Sequence, residues 1–205
     1  MRRPRLPIVA IACVAALAPA ARAQPLETAG ATTCDVRAFA IDPDSKGTNV
    51  RSGPRANAPV IGRLVPLTRI ERDTLVGVEF DIVGSKEGWL LIRNGRPEGG
   101  LILDAAHKAD GRGWISGRLA ATTLALPAFR SAPRRDAPEV ARLMGDISGP
   151  DGSWGPYSVA ISAVHGCEGG YIEVTVTPPR GKPARGWSYK PCAAQLTTCD
   201  GGMTE

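Results

Sequence analysis

Val76, Val78, Phe80 and Ile82 alternate with Gly77, Glu79 and Asp81. A period of two is the mark of a strand with one buried face. The second half of the chain repeats the pattern at Val159 and Ile161, then at Ile172, Val174 and Val176. With 24 glycines and 18 prolines, the chain is punctuated too often for long helices. Asn94-Gly95, Pro150-Asp151-Gly152 and Pro178-Pro179-Arg180-Gly181 read as turns. Residues 101–107 are expected to form one short helical turn. Many short strands with frequent turns predict an all-β fold, a small barrel or sandwich.

The strands belong to a repeat. Fifteen residues from Val50 to Leu64 align without a gap to Phe129 through Leu143, at an offset of 79, with eight identities. Gly84-Ser85-Lys86-Glu87-Gly88-Trp89 aligns to Gly166-Cys167-Glu168-Gly169-Gly170-Tyr171 at an offset of 82. Gly113-Trp114 aligns to Gly186-Trp187 at an offset of 73. Order is kept while spacing drifts, as in a duplicated fold whose loops vary. The expected organisation is a leader at 24–33, a first module at 34–119, a second at 120–199 and a tail at 200–205. Val50, Ile61 and Leu64 are expected to face the interior of the first module.

Thr48-Asn49-Val50-Arg51-Ser52-Gly53-Pro54, then Val60-Ile61-Gly62-Arg63-Leu64, then Gly88-Trp89 and Gly113-Trp114-Ile115, resemble the bacterial SH3 (SH3b) domain. Those domains open on an N-V-R-S-G-P strand and loop, continue with a V-I-G-x-L strand and close on a pair of G-W segments. The second copy resembles them through its alignment to the first. Ala128-Phe129 stands for the N-V pair, Ala132 for the loop glycine and Tyr171 for the first tryptophan. The resemblance implies two tandem SH3-like β-barrels and binding of a cell-envelope polymer such as peptidoglycan. Its expected ligand groove is aromatic: Trp89 and Trp114 in the first module, and Tyr157, Tyr171, Trp187 and Tyr189 in the second. Arg51 is a further candidate contact, although a structural bond from its guanidinium to loop carbonyls is the favoured role. Gly53-Pro54 is expected to bend the chain as strand becomes loop; if the bend uses a positive φ at Gly53, Ala132 would be strained and the second loop would run differently.

Residues 1–23 have the three parts of a secretory signal peptide. Arg2, Arg3 and Arg5 precede the apolar stretch 8–17, and Ala21-Arg22-Ala23 offers a cleavage site. The stretch is too short to span a bilayer, which takes roughly 20 residues. A buried N-terminal helix and a lipid-attached Cys13 are less favoured alternatives. The chain carries 25 Lys+Arg against 20 Asp+Glu, a net charge of +5. Arg2, Arg3, Arg5 and Arg22 supply most of that excess, so the basic balance argues for export and not for nucleic-acid binding. Cleavage would also leave four cysteines, Cys34, Cys167, Cys192 and Cys199, which allow three disulfide pairings in an oxidising compartment. The expected pairing is Cys167–Cys192 within the second module, with Cys34–Cys199 tying the chain ends.

The sequence offers little chemistry. No C-x-x-C pair is present, and His107 and His165 are not at ligand spacing for zinc. No histidine follows Cys167, as a papain-like cell-wall peptidase would need, and the modules leave no length for a catalytic domain. Asp42-Pro43-Asp44 opens like a calcium loop, but Lys46 and Gly53 stand at ligand positions. Ser153 lacks the glycine a nucleophile elbow requires two residues earlier. Neither a metal nor an organic cofactor is expected. The expected function is a non-catalytic binding protein of the periplasm or cell exterior, without a membrane span. Its partner would be peptidoglycan or, alternatively, an envelope protein that it serves as adaptor or inhibitor.

Overall fold

The computed structural model describes residues 24–95, 99–146, 153–179 and 181–199. The expected signal peptide, the 200–205 tail, the expected turn at Pro150-Asp151-Gly152 and Arg180 lie outside them. The fold is all-β, and its only described helical pieces are 3-10 turns at Gly117–Leu119 and Pro156–Ser158.

The first half of the chain forms β1 (Thr32–Ala40), β2 (Asn49–Arg51), β3 (Val60–Leu64), β4 (Thr68–Glu71) and β5 (Thr74–Val76). There follow β6 (Glu79–Lys86), β7 (Trp89–Asn94), β8 (Leu101–Leu103), β9 (Arg112–Ser116) and β10 (Ala120–Ala121). The second half forms β11 (Ala128–Arg130), β12 (Glu139–Arg142), β13 (Gly145–Asp146) and β14 (Ser153–Trp154). It ends with β15 (Ala160–Glu168), β16 (Tyr171–Thr177) and β17 (Ala184–Tyr189).

Eight strands make the first sheet, in the order β10-β1-β6-β7-β9-β2-β3-β8, and five make the second, β12-β11-β17-β16-β15. Both are antiparallel and open-edged among the described residues. The repeat accounts for the order. β6-β7-β9-β2-β3 in the first sheet and β15-β16-β17-β11-β12 in the second are equivalent strands in the same sequence of neighbours. The register agrees: Arg51 lies opposite Trp114, and Arg130 opposite Trp187.

Alternation sets the core. Cys34, Val36, Ala38 and Ala40 of β1 point inward, as do Phe80 and Ile82 of β6 and Ile172, Val174 and Val176 of β16. Val50, Ile61 and Leu64 are buried as their pattern predicts. Each fully buried side chain of this size contributes roughly 1.5–3 kcal/mol. One apolar cluster runs through both modules, from Phe80 and Ile115 to Phe129 and Val174.

Several local expectations change. The alternating run from Val76 is interrupted at Gly77, whose N–H donates to Gln195 Oε1 at 2.7 Å and whose carbonyl accepts from Gln195 Nε2 at 2.9 Å. The helical turn expected at 101–107 is instead strand β8, pairing with β3, followed by turns closed by His107 N–H on the Asp104 carbonyl. Gly53 is not at positive φ. The two loops run alike: Arg55 N–H bonds the Gly53 carbonyl at 2.9 Å and Arg134 N–H the Ala132 carbonyl at 2.8 Å. A Cβ at Gly53 would instead come within 2.9 Å of Glu27 Oε2, the movable end of a side chain.

The disulfides overturn the expected pairing. They are Cys34–Cys167 and Cys192–Cys199, not Cys167–Cys192 and Cys34–Cys199. The physical reason is the placement of β1 beside the β15–β16 turn. Asp35 N–H bonds the Gly169 carbonyl at 2.8 Å, and Gly169 N–H bonds the Thr33 carbonyl at 2.9 Å. This brings the cysteine Cα atoms to 5.7 Å, and the bridge joins the modules. The segment after β17 pairs Cys192 with Thr123 and folds back through Gln195 onto the first sheet.

Residues 24–33 also do more than lead. Glu27 N–H bonds the Ser52 carbonyl at 2.8 Å, and the Glu27 carboxylate pairs with Arg55, which holds its pKa below the usual value.

Candidate functional site

A cleft of about 550 Å³ opens where the modules meet. One of its walls is the β6–β7 hairpin, with Glu87 and Gly88 at φ of 50° and 79°. Two successive positive values define the tight turn that suits strand twist. For Glu87 this conformation costs of order 1–2 kcal/mol, and it puts an exposed carboxylate at the rim.

Trp89, next in the chain, is half-buried and lines the cleft. It lies opposite Ser116 in the β7–β9 ladder, and Ser116 lines the same cleft. The first module's other walls are the Asp42–Asn49 loop, Arg51 and the 3-10 turn bearing Arg118. The second module contributes Ala163, Val164 and His165 of β15.

The charges around the cleft are mixed. Asp42 and Asp44 cap their own loop, accepting from Asp44 N–H at 3.1 Å and Lys46 N–H at 2.8 Å. Arg51 donates to the Ala58 carbonyl at 2.8 Å, and Arg130 does the same to Ala137 at 3.2 Å in the second module. Its guanidinium thus shapes the loop while its charge stays beside the cleft. His165 Nε2 shares a hydrogen bond of 2.7 Å with Thr175 Oγ1. Burial and the Arg185 guanidinium, partly offset by Glu173, hold its imidazole below the ordinary pKa. Arg185 itself is raised by its bonds to Glu173.

The structure separates the predicted aromatic residues. Trp114 is fully buried, and its indole N–H donates to the Glu27 carbonyl at 2.7 Å. It therefore cannot share an exposed groove with Trp89, contrary to the sequence expectation. Tyr171, the counterpart of Trp89, packs against Tyr189, their centroids 4.7 Å apart, with Lys190 Nζ 5.3 Å from the Tyr189 ring centre. Trp187 is half-buried on β17, and Tyr157 is exposed on the second 3-10 turn. Among the sequence candidates, Trp89 and Arg51 meet in the cleft. Asp42, Asp44, Arg118 and His165 were not anticipated there, since their approach depends on how the modules dock.

No group of three or more potential metal-ligating side chains occurs among the described residues. No helix among them is long and apolar enough to cross a membrane. In comparison with known proteins, the chain matches no family model, no curated protein and no solved structure.

Proposed function

We propose that this chain is an exported, non-catalytic binding protein of two SH3-like modules, holding a cell-envelope polymer such as peptidoglycan in the cleft between them. The observation that carries this reading is a cleft lined by the half-buried Trp89 together with the acidic Asp42, Asp44 and Glu87 and the basic Arg51 and Arg118. An aromatic face flanked by both charge signs suits a ligand that combines sugar or peptide faces with ammonium and carboxylate groups. Peptidoglycan has that composition. The matching strand order of the two halves supports their duplication, and the two disulfides are compatible with an oxidising compartment. All four described cysteines are bonded, so no described thiol remains as a nucleophile.

The test is retention of the purified protein, residues 24–205 with disulfides intact, on insoluble peptidoglycan sacculi. Retention that falls at least tenfold in Trp89→Ala, with an unchanged circular dichroism spectrum, is the expected result. Retention no greater than that of an unrelated protein would end the wall-polymer reading.

A second reading is an adaptor or inhibitor that docks on an envelope protein. The exposed Ile70 and Leu75 on the β4–β5 hairpin favour it, as projecting apolar side chains suited to a protein surface.

A further inference from the structure

The duplication places two equivalent positions side by side for comparison. In the first module Trp89 lies across the ladder from Ser116. In the second, Tyr171 lies across from Tyr189 in the matching pair of strands. The surrounding backbone is alike. Gly117 N–H bonds the Gly88 carbonyl at 2.9 Å, and Lys190 N–H bonds the Gly170 carbonyl at 2.8 Å. What differs is the side chain facing the first aromatic ring.

Beside Trp89 that side chain is a serine, too small to cover an indole, and the cleft lies over both residues. Beside Tyr171 it is a second ring at 4.7 Å. The Tyr189 ring also lies over Gly170, where an added Cβ would come within 2.8 Å of it. Tyr189 thus occupies the position in which a ligand would meet Tyr171. The second module instead supplies a wall of the first module's cleft, through Ala163, Val164 and His165.

We propose that the two modules have diverged into one open and one self-filled site, so each chain holds one ligand segment, and that Ser116 against Tyr189 decides which site is open. The proposal rests on the wall-polymer reading for its ligand but not for its geometry. The ligand segment must be narrow enough to lie against Trp89 between Ser116 and the β15 wall, as one sugar or one peptide residue would be.

The test exchanges the two residues. Hydroxyl-radical footprinting with mass spectrometry reads Trp89 and Tyr171 separately, in the disulfide-intact wild type, Ser116→Tyr and Tyr189→Ser. Ser116→Tyr is expected to lower Trp89 oxidation at least threefold and sacculus retention about tenfold. Tyr189→Ser is expected to raise Tyr171 oxidation at least threefold. Calorimetric titration of the wild type with the muramidase-released disaccharide-peptide is expected to give one site per chain.

Two sites per chain would overturn the proposal. So would Ser116→Tyr that shields Trp89 yet retains full binding, or Tyr189→Ser that leaves Tyr171 oxidation unchanged. A wild type that binds neither sacculi nor the fragment would overturn the wall-polymer reading. The footprints alone would then decide whether one position is open and the other filled.

Discussion

Ser85 and Cys167 hold the same place in the two copies of the repeat, and in the folded chain they touch. The Ser85 hydroxyl accepts from Cys167 N–H at 2.9 Å and donates to the Cys167 carbonyl at 3.1 Å. Thr32 Oγ1 joins them, 2.8 Å from both Ser85 Oγ and the Cys167 carbonyl. The modules therefore meet through equivalent strands, β6 and β15, at equivalent residues. One hydroxyl stands in for the ladder bonds that two strands would otherwise exchange. Ser85→Ala should leave the buried Cys167 N–H without its partner, a loss of about 1–3 kcal/mol. The urea unfolding midpoint checks this; an unchanged midpoint would mean that water replaces the hydroxyl.

The two disulfides should differ in what they stabilise. Cys34–Cys167 spans 133 residues and Cys192–Cys199 spans 7. Loop-closure entropy assigns about 5 kcal/mol to the first and about 2.5 kcal/mol to the second. Unfolding of the paired serine variants should rank them in that order. Loss of the long bridge should also broaden the transition as the modules uncouple.

Gly117 is required by proximity. A Cβ there would lie 2.0 Å from the Val164 carbonyl and 3.0 Å from that of Gly88. Gly117→Ala should push the 3-10 turn off β15 and destabilise the protein by about 1–3 kcal/mol, the range for overpacking a tight contact. It should also widen the cleft. Faster proteolysis between the modules, measured by limited digestion, is the expected sign.

His165 should make stability fall in mild acid. Its folded pKa lies below the ordinary value of 6.5, with burial the main cause. The unfolded chain therefore takes up this proton more readily than the folded one, and stability rises with pH between the two values. The contribution is complete above 6.5 and is lost as pH falls from there toward the folded pKa. Glu173 and Arg185 act on the imidazole, and Arg118 lines the same cleft. His165→Gln should flatten the dependence of Tm on pH below 6.5 and leave it unchanged above.

The sequence made the strands legible where alternation was regular, as at Phe80 and Ile82 or Ile172 to Val176, because a one-sided face follows from spacing alone. The matched offsets of Arg51 and Arg130 foretold matching registers. The fate of Trp114 was not legible. Its burial depends on Glu27, 87 positions earlier, offering a carbonyl to the indole. The interruption at Gly77 depends likewise on Gln195, 118 positions later. The cleft was the least legible feature, since the docking of one module on the other brings His165 toward Trp89. The disulfide pairing was missed for a related reason. Comparison of the two copies places Cys167 with Cys192 inside one module, whereas β1 reaches across to Gly169.

The pairing has a consequence for how the chain matures. Each bonded cysteine is joined to the next one along the sequence, Cys34 to Cys167 and Cys192 to Cys199. If the chain is exported as proposed above, a thiol oxidase that meets these four cysteines in order of emergence makes the native bonds at the first attempt. Cys34 waits for nearly the whole chain, Cys167 satisfies it, and the last two have only each other. Assembly in this order requires no isomerase to exchange mispaired partners.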